Sequence, residues 1–226
     1  WGLRLSWLIA LPAMLALLVL AGPLVITLFE TGRYTAFDAR MTTLSTMALS
    51  AGLPAYALVK ILLTAFYARQ DTRTPVRAGV AALVTNMLFN GLFIVLLFEL
   101  LAPPSLHQVG WLEGIAKVPG LPVAMALARR LSSYVNFLLL WRWLKRAGVY
   151  RSEPGWARHW LRLGVACVVM VLVLVLGRWL WPHWSGIPIH TRIWHLTVLV
   201  LAGGLRYVGT LFAAGRSDER RVGKEC

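Results

Sequence analysis

Residues 7–29 run for 23 positions without one charged side chain. A bilayer core about 30 Å thick takes about 20 apolar residues wound as a helix. A run of that kind leaves few folds open, and five more follow. Residues 78–98 are also wholly uncharged. Residues 41–66 are interrupted by Lys60, and 118–141 contain Arg129 and Arg130. Residues 161–181 carry Arg162 and Arg178 near their ends, and 193–214 contain Arg206. These runs are too long and too evenly apolar for the alternating strands of roughly ten residues that build a membrane barrel. The expected fold is an all-α integral membrane protein with about six transmembrane helices. Pro12, Pro23, Pro54 and Gly52 fall in or near these helices. Membrane helices keep such residues when a neighbour takes up the freed backbone groups. A packing kink and a functional hinge both fit.

Charge sets the orientation. Of 226 residues, 58% are hydrophobic and 14% charged, whereas a soluble domain carries about 25% charged residues. That balance excludes a soluble enzyme and a disordered chain. The net charge is nevertheless +14, from 23 Lys and Arg against 9 Asp and Glu. Nucleic-acid binders place such charge on a soluble scaffold, so no nucleic-acid partner is expected. With six spans both termini share one side, and 14 of the 23 basic residues fall there. The positive-inside rule makes that side cytoplasmic. Eleven tryptophans suit membrane interfaces. The chain opens on Trp1 with no signal-peptide layout, so it reads as beginning within a larger protein. Residues 217–226 are polar and charge-dense. They read either as a cytoplasmic tail or as translated foreign sequence, and carry no functional weight.

The chemistry of bond making is missing from the pattern. No span contains Asp or Glu, and no HExxH, GxSxG or P-loop spacing occurs. His107, His159, His183, His190 and His195 stand singly, as interface residues rather than metal ligands. The expectation is transport with no cofactor, coupled if at all to the membrane potential or a monovalent cation. Asn86 and Asn90 are four residues apart, which puts both amides on one helix face beside Thr85. An amide facing lipid is costly, so that face meets another helix or lines a cation or substrate cavity. Asn136, Ser132 and Ser133 form a weaker polar face. Thr42, Thr43, Ser45, Thr46 and Ser50 make the first half of the second span mildly polar. Lys60 either snorkels toward the cytoplasmic headgroups or faces a central cavity. Arg69, Arg73 and Arg77 form a cytoplasmic basic cluster at a helix–helix turn. It serves topology or head-group capture, with Asp71 placed to pair with Arg69 or Arg73. Arg129, Arg130 and Arg206 lie where a charge costs about 2.5–3.5 kcal/mol on insertion scales, and the sequence gives no reason for them.

The loop Phe66-Tyr67-Ala68-Arg69-Gln70-Asp71-Thr72-Arg73-Thr74-Pro75-Val76 resembles the signature loop of the MurJ (MviN) family of bacterial lipid II flippases. Leu28-Phe29-Glu30-Thr31-Gly32-Arg33-Tyr34-Thr35-Ala36-Phe37-Asp38 is similar to that family's LFE.G.FTA.D segment. Trp1-Gly2-Leu3-Arg4-Leu5 and Gly148-Val149-Tyr150 are also similar, and the likeness runs to about residue 215. It implies the C-terminal fragment of a fourteen-helix exporter of the MOP superfamily. Residues 1–147 would supply the last four helices of its second lobe. Residues 148–216 would supply two extra helices that form a groove for a polyprenyl tail. The implied activity is flipping of lipid II across the bacterial inner membrane by alternating access. The implied partners are lipid II and membrane lipids, with the whole protein acting as a monomer. Arg129, Arg130 and Arg206 depart from the family pattern. Another exporter of the same superfamily, or a non-transporting scaffold of cell-wall synthesis, are the alternatives.

Overall fold

The computed structural model describes residues 2–30, 34–101, 120–148 and 155–222. Thr31, Gly32, Arg33, His107, Val149 and Tyr150, which carry sequence expectations, lie outside these residues, as do residues 118–119 and 223–226. The described elements are helices: α1 (Gly2–Phe29), α2 (Ala36–Ser50), α3 (Leu53–Tyr67), α4 (Arg73–Leu101), α5 (Leu121–Arg146), α6 (Trp156–Leu180) and α7 (Ile189–Val222). Six segments are long and apolar enough to cross a membrane, with α2 and α3 forming one of them. The all-α, six-span expectation therefore holds. Four spans begin five residues before the hydropathic runs. Hydropathy marks the hydrocarbon core, while the helices continue through flanking arginines, which are good helix formers.

The second span is not the continuous helix expected over 41–66. It breaks at Ala51 and Gly52. Pro54 sits in the first turn of α3, where its missing N–H costs nothing, but it cannot donate to a preceding turn. Gly52 still accepts from the Tyr56 N–H at 3.0 Å, so the chain stays nearly helical across the break. The other end of α2 is closed by a capping box. The Thr35 N–H donates to Asp38 Oδ2 at 3.1 Å, and the Asp38 N–H donates to Thr35 Oγ1 at 3.2 Å.

The helices form two compact groups, α1 with α6 and α7, and α2 through α5. In the first group, α6 and α7 are antiparallel and interlocked. A β-carbon at Gly203 would lie 2.8 Å from Leu174 Cδ2, and one at Gly177 would collide with Leu199. Each glycine is thus the hole for the other helix's leucine. Leu163, Ala166, Cys167, Met170 and Leu174 of α6 form the core with Leu199 and Tyr207 of α7 and Leu20 of α1.

The prolines of α1 show how this group is held. Pro12 and Pro23 have no N–H, which frees the carbonyls four residues earlier, at Leu8 and Val19. The Tyr207 hydroxyl donates to Leu8 O at 2.5 Å, and Arg178 Nη1 donates to Val19 O at 2.7 Å. Side chains of α7 and α6 thus replace both lost helix bonds. At the end of α1, Arg192 Nη1 reaches Ile26 O at 3.2 Å and pairs with Glu30 Oε2 at 2.7 Å. Arg178, near the end of its apolar run, and Arg192, just before the next, are both given by the structure to the backbone of α1.

In the second group α5 packs against both α3 and α4, which touch each other little. α4 and α5 run antiparallel: Ser132 Oγ donates to Ala82 O at 2.5 Å, and Gly120 lies beside Leu97. Small residues carry that interface, with Ala78, Ala82, Ala124 and Ala128 all buried. Without a hydrophobic drive between membrane helices, small residues permit the close backbone approach that packing needs.

Candidate functional site

The turn joining α3 to α4 is built from its backbone outward. The Asp71 N–H donates to Phe66 O at 3.1 Å and the Gln70 N–H to Tyr67 O at 2.9 Å. That pair of bonds is a Schellman closure, with Gln70 in the left-handed position at φ 58°. Asp71 then opens α4, accepting the Thr74 N–H on Oδ1 at 3.1 Å. Bonds from the Thr74 hydroxyl and then its backbone N–H hold the Asp71 carboxyl below the usual carboxylate range, and the Arg69 charge adds least. Asp71 is therefore a helix cap first, and the pairing with arginine expected from sequence is secondary. Arg69, Arg73 and Arg77 are all exposed around this turn. Arg73 and Arg77, one helical turn apart, share a face of α4.

α3 is two-faced. Ala55, Leu58, Val59, Leu62 and Phe66 are buried. Tyr56, Lys60, Thr64 and Tyr67 are exposed at spacings of four, four and three, which makes one continuous stripe. Lys60 Nζ lies 4.7 Å from the centre of the Tyr56 ring. The ammonium is thus one turn back toward the start of α3, away from the arginine turn, and stands on the polar stripe. A cation over an aromatic face gains about 0.5–2 kcal/mol, more as water is excluded.

Asn86 and Asn90 lie half-buried on α4. The carbonyl oxygen of each is covered and has no hydrogen-bond partner among the described residues, and the same holds for Asn136 on α5. A covered, unpaired acceptor costs about 1–3 kcal/mol. Thr85, by contrast, spends its hydroxyl on Ala81 O at 2.7 Å within its own helix. The asparagines are on α4 and Lys60 is on the exposed face of α3, with α5 packed against both helices, so the structure keeps these candidates apart.

Arg130, unexplained by sequence, has a place. Its side chain runs across Gly52, where a β-carbon would collide with it and lie 2.9 Å from Nε. Tyr134, one turn on, donates its hydroxyl to Ala51 O at 2.7 Å. Both side chains of α5 thus meet the break between α2 and α3. A period-four search of 118–141 would have found Arg130 and Tyr134 together, but not their target. Arg129 and Arg206 are exposed, and nothing in the structure explains them. In the other helix group, Pro12, Ala16 and Leu20 of α1 face Met170, Leu174, Val200 and Gly203 across an apolar cavity of about 220 Å³.

Comparison with known proteins gives this arrangement a family. The family described as "Lipid II flippase MurJ" matches residues 1–106. A probable lipid II flippase MurJ of Vibrio cholerae is 33% identical over 215 residues, covering 95% of this chain and 37% of the relative. The Haemophilus influenzae counterpart is 32% identical over 221 residues, covering 95% and 38%. The lipid II flippase MurJ of Burkholderia cenocepacia is 30% identical over 187 residues, covering 83% and 30%. The chain spans less than two fifths of the length of these relatives. Its likeness nevertheless extends through nearly all of its own residues, and on that ground it belongs to the MurJ family of lipid II flippases.

Proposed function

We propose that this chain forms six spans of a transporter that moves lipid II from the cytoplasmic to the periplasmic leaflet of the bacterial inner membrane. The observation that carries the reading is the similarity to MurJ proteins over 95% of the chain. The whole protein alternates access as a monomer, and both ends of this chain face the cytoplasm. The stripe of Tyr56, Lys60, Thr64 and Tyr67 supports a helix that lines a polar path. Asn86 and Asn90 contact a monovalent cation or the head group, and their covered, unpaired oxygens support that role. The Arg69, Arg73 and Arg77 cluster attracts the pyrophosphate from the cytoplasmic side. Residues 148–216 shape a polyprenyl groove. The apolar cavity supports this, with α1 contributing to its wall.

The test is a chimera in which this chain replaces the matching residues of the Vibrio cholerae relative. It should rescue a strain depleted of its lipid II flippase. Failure to rescue at normal membrane abundance would reject the reading. In the chimera, Asn86→Leu with Asn90→Leu should abolish rescue while leaving insertion intact. Full rescue would return both amides to a packing role.

A further inference from the structure

The second span breaks at Ala51 and Gly52, between α2 and α3. Pro54 has no N–H, so the Ser50 carbonyl loses its usual donor. No other backbone N–H closes on that carbonyl among the described residues, and Ser50 is buried. The Ala51 carbonyl beside it takes the Tyr134 hydroxyl at 2.7 Å. Gly52 has φ −90° and ψ −3°, the region of ordinary turns, open to residues with side chains. Its missing β-carbon is needed for space instead, because the Arg130 stem fills that place. Arg130 and Tyr134 are four residues apart on α5 and share one face. The Arg130 Nε is covered and has no hydrogen-bond partner among the described residues. One break thus holds a backbone acceptor without a donor and a guanidinium donor without an acceptor. Leaving such groups buried and unmade is costly. The two arms of the break are also held unequally. α3 packs against α5, whereas α2 makes few contacts with any other described helix.

We propose that Ala51–Gly52 is a two-position joint in the second span, controlled from α5. The Tyr134 hydroxyl on the Ala51 carbonyl holds the position described above. In the second position α2, the loosely held arm, swings about Gly52 and the Arg130 guanidinium takes the Ser50 carbonyl. Glycine and proline mark where a helix bends, but a fixed bend over Gly52 needs only an apolar side chain. A guanidinium inside a span is costly, and the second position gives it the bond that offsets this. Each position keeps one side chain of α5 on the break, so α5 sets the angle between α2 and α3, and the balance of two bonds sets the populations. The joint belongs to the α2–α5 group and is read as a distance, so it stands or falls separately from lipid II transport.

Nitroxide labels at Phe37→Cys and Thr64→Cys, both exposed positions, report the separation of α2 and α3 by double electron–electron resonance. The full chain is used, lacking Cys167 and Cys226 and held in lipid nanodiscs. It should give two separations, with the bent position predominating. Tyr134→Phe should raise the ratio of the second to the first by roughly threefold, about 0.6 kcal/mol for one interhelical bond. Arg130→Met keeps the stem and removes the guanidinium. It should lower that ratio, and should cancel the rise when combined with Tyr134→Phe. Both replacements nearly preserve shape, which guards against loss of fold. Ser133→Ala, whose hydroxyl stays within α5 on Arg129 O at 3.0 Å, should change nothing. One unchanged separation in every variant would overturn the joint. So would Arg130→Met shifting the ratio in the same direction as Tyr134→Phe, or Ser133→Ala shifting it equally.

Discussion

At the scale of single residues, the structure is governed by where freed backbone groups find partners. Pro12 releases the Leu8 carbonyl and Tyr207 takes it. Tyr207→Phe should therefore destabilise the helix group by about 1 kcal/mol, in the range for interhelical bonds in membranes. The cost should shrink toward zero in a Pro12→Ala background, because the substituted alanine restores an N–H for Leu8. Unfolding in mixed micelles across the four variants measures that coupling. Equal costs in both backgrounds would mean that the hydroxyl is not the substitute donor. The prolines announced the need for partners in the sequence, but not which residues supply them. Tyr207 and Arg178 reach α1 only through the fold, and the sequence shows Arg178 only as a charge near the end of a span. Arg130 was opaque for the same reason: its side chain meets Gly52, in the break between α2 and α3.

At the scale of elements, the two strings that carry the family likeness are helix-ending devices. Thr35 and Asp38 cap α2, while Gln70 and Asp71 close α3 and open α4. A left-handed conformation costs a residue other than glycine about 1–2 kcal/mol, so Gln70→Gly should raise stability by about 1 kcal/mol. Thermal unfolding checks the sign, and a loss of stability would show that the Gln70 side chain has a role the turn does not reveal. Asp71 has its carboxyl held low in the folded state. Its stabilising effect is complete above about pH 5 and is lost as pH falls through the folded value. The stability gap between the native chain and Asp71→Asn should therefore close on acidification, as read by unfolding from pH 7 to pH 3. Between α6 and α7, Gly203→Val should wedge the helices apart at a cost of about 1–3 kcal/mol, since Leu174 occupies that space. The span count was legible because hydrocarbon thickness dictates run length. The break at Ala51 and Gly52 was not, since Gly52 and Pro54 mark a kink without saying whether the helix stops. The turn of Lys60 toward Tyr56 also needed coordinates, because both rotamer directions suit a lysine near a helix end.

At the scale of the whole molecule, the proposed orientation rests on positive charge and the proposed transport on similarity. Single cysteines replacing Arg69 or Arg146, in a background lacking Cys167 and Cys226, should react with an impermeant reagent only from the cytoplasmic side. A cysteine at His183 should react only from the opposite side. Labelling at position 69 from outside would invert the topology and with it the assignment of the basic cluster. The central claim is met most directly by reconstituting the chimera with the Vibrio cholerae relative and following fluorescent lipid II between leaflets. The account predicts transfer within about tenfold of the intact relative, the span of a 1.4 kcal/mol change in barrier, and little transfer when Asn86 and Asn90 are both replaced by leucine. A folded, correctly inserted chimera that leaves lipid II in its original leaflet would contradict it.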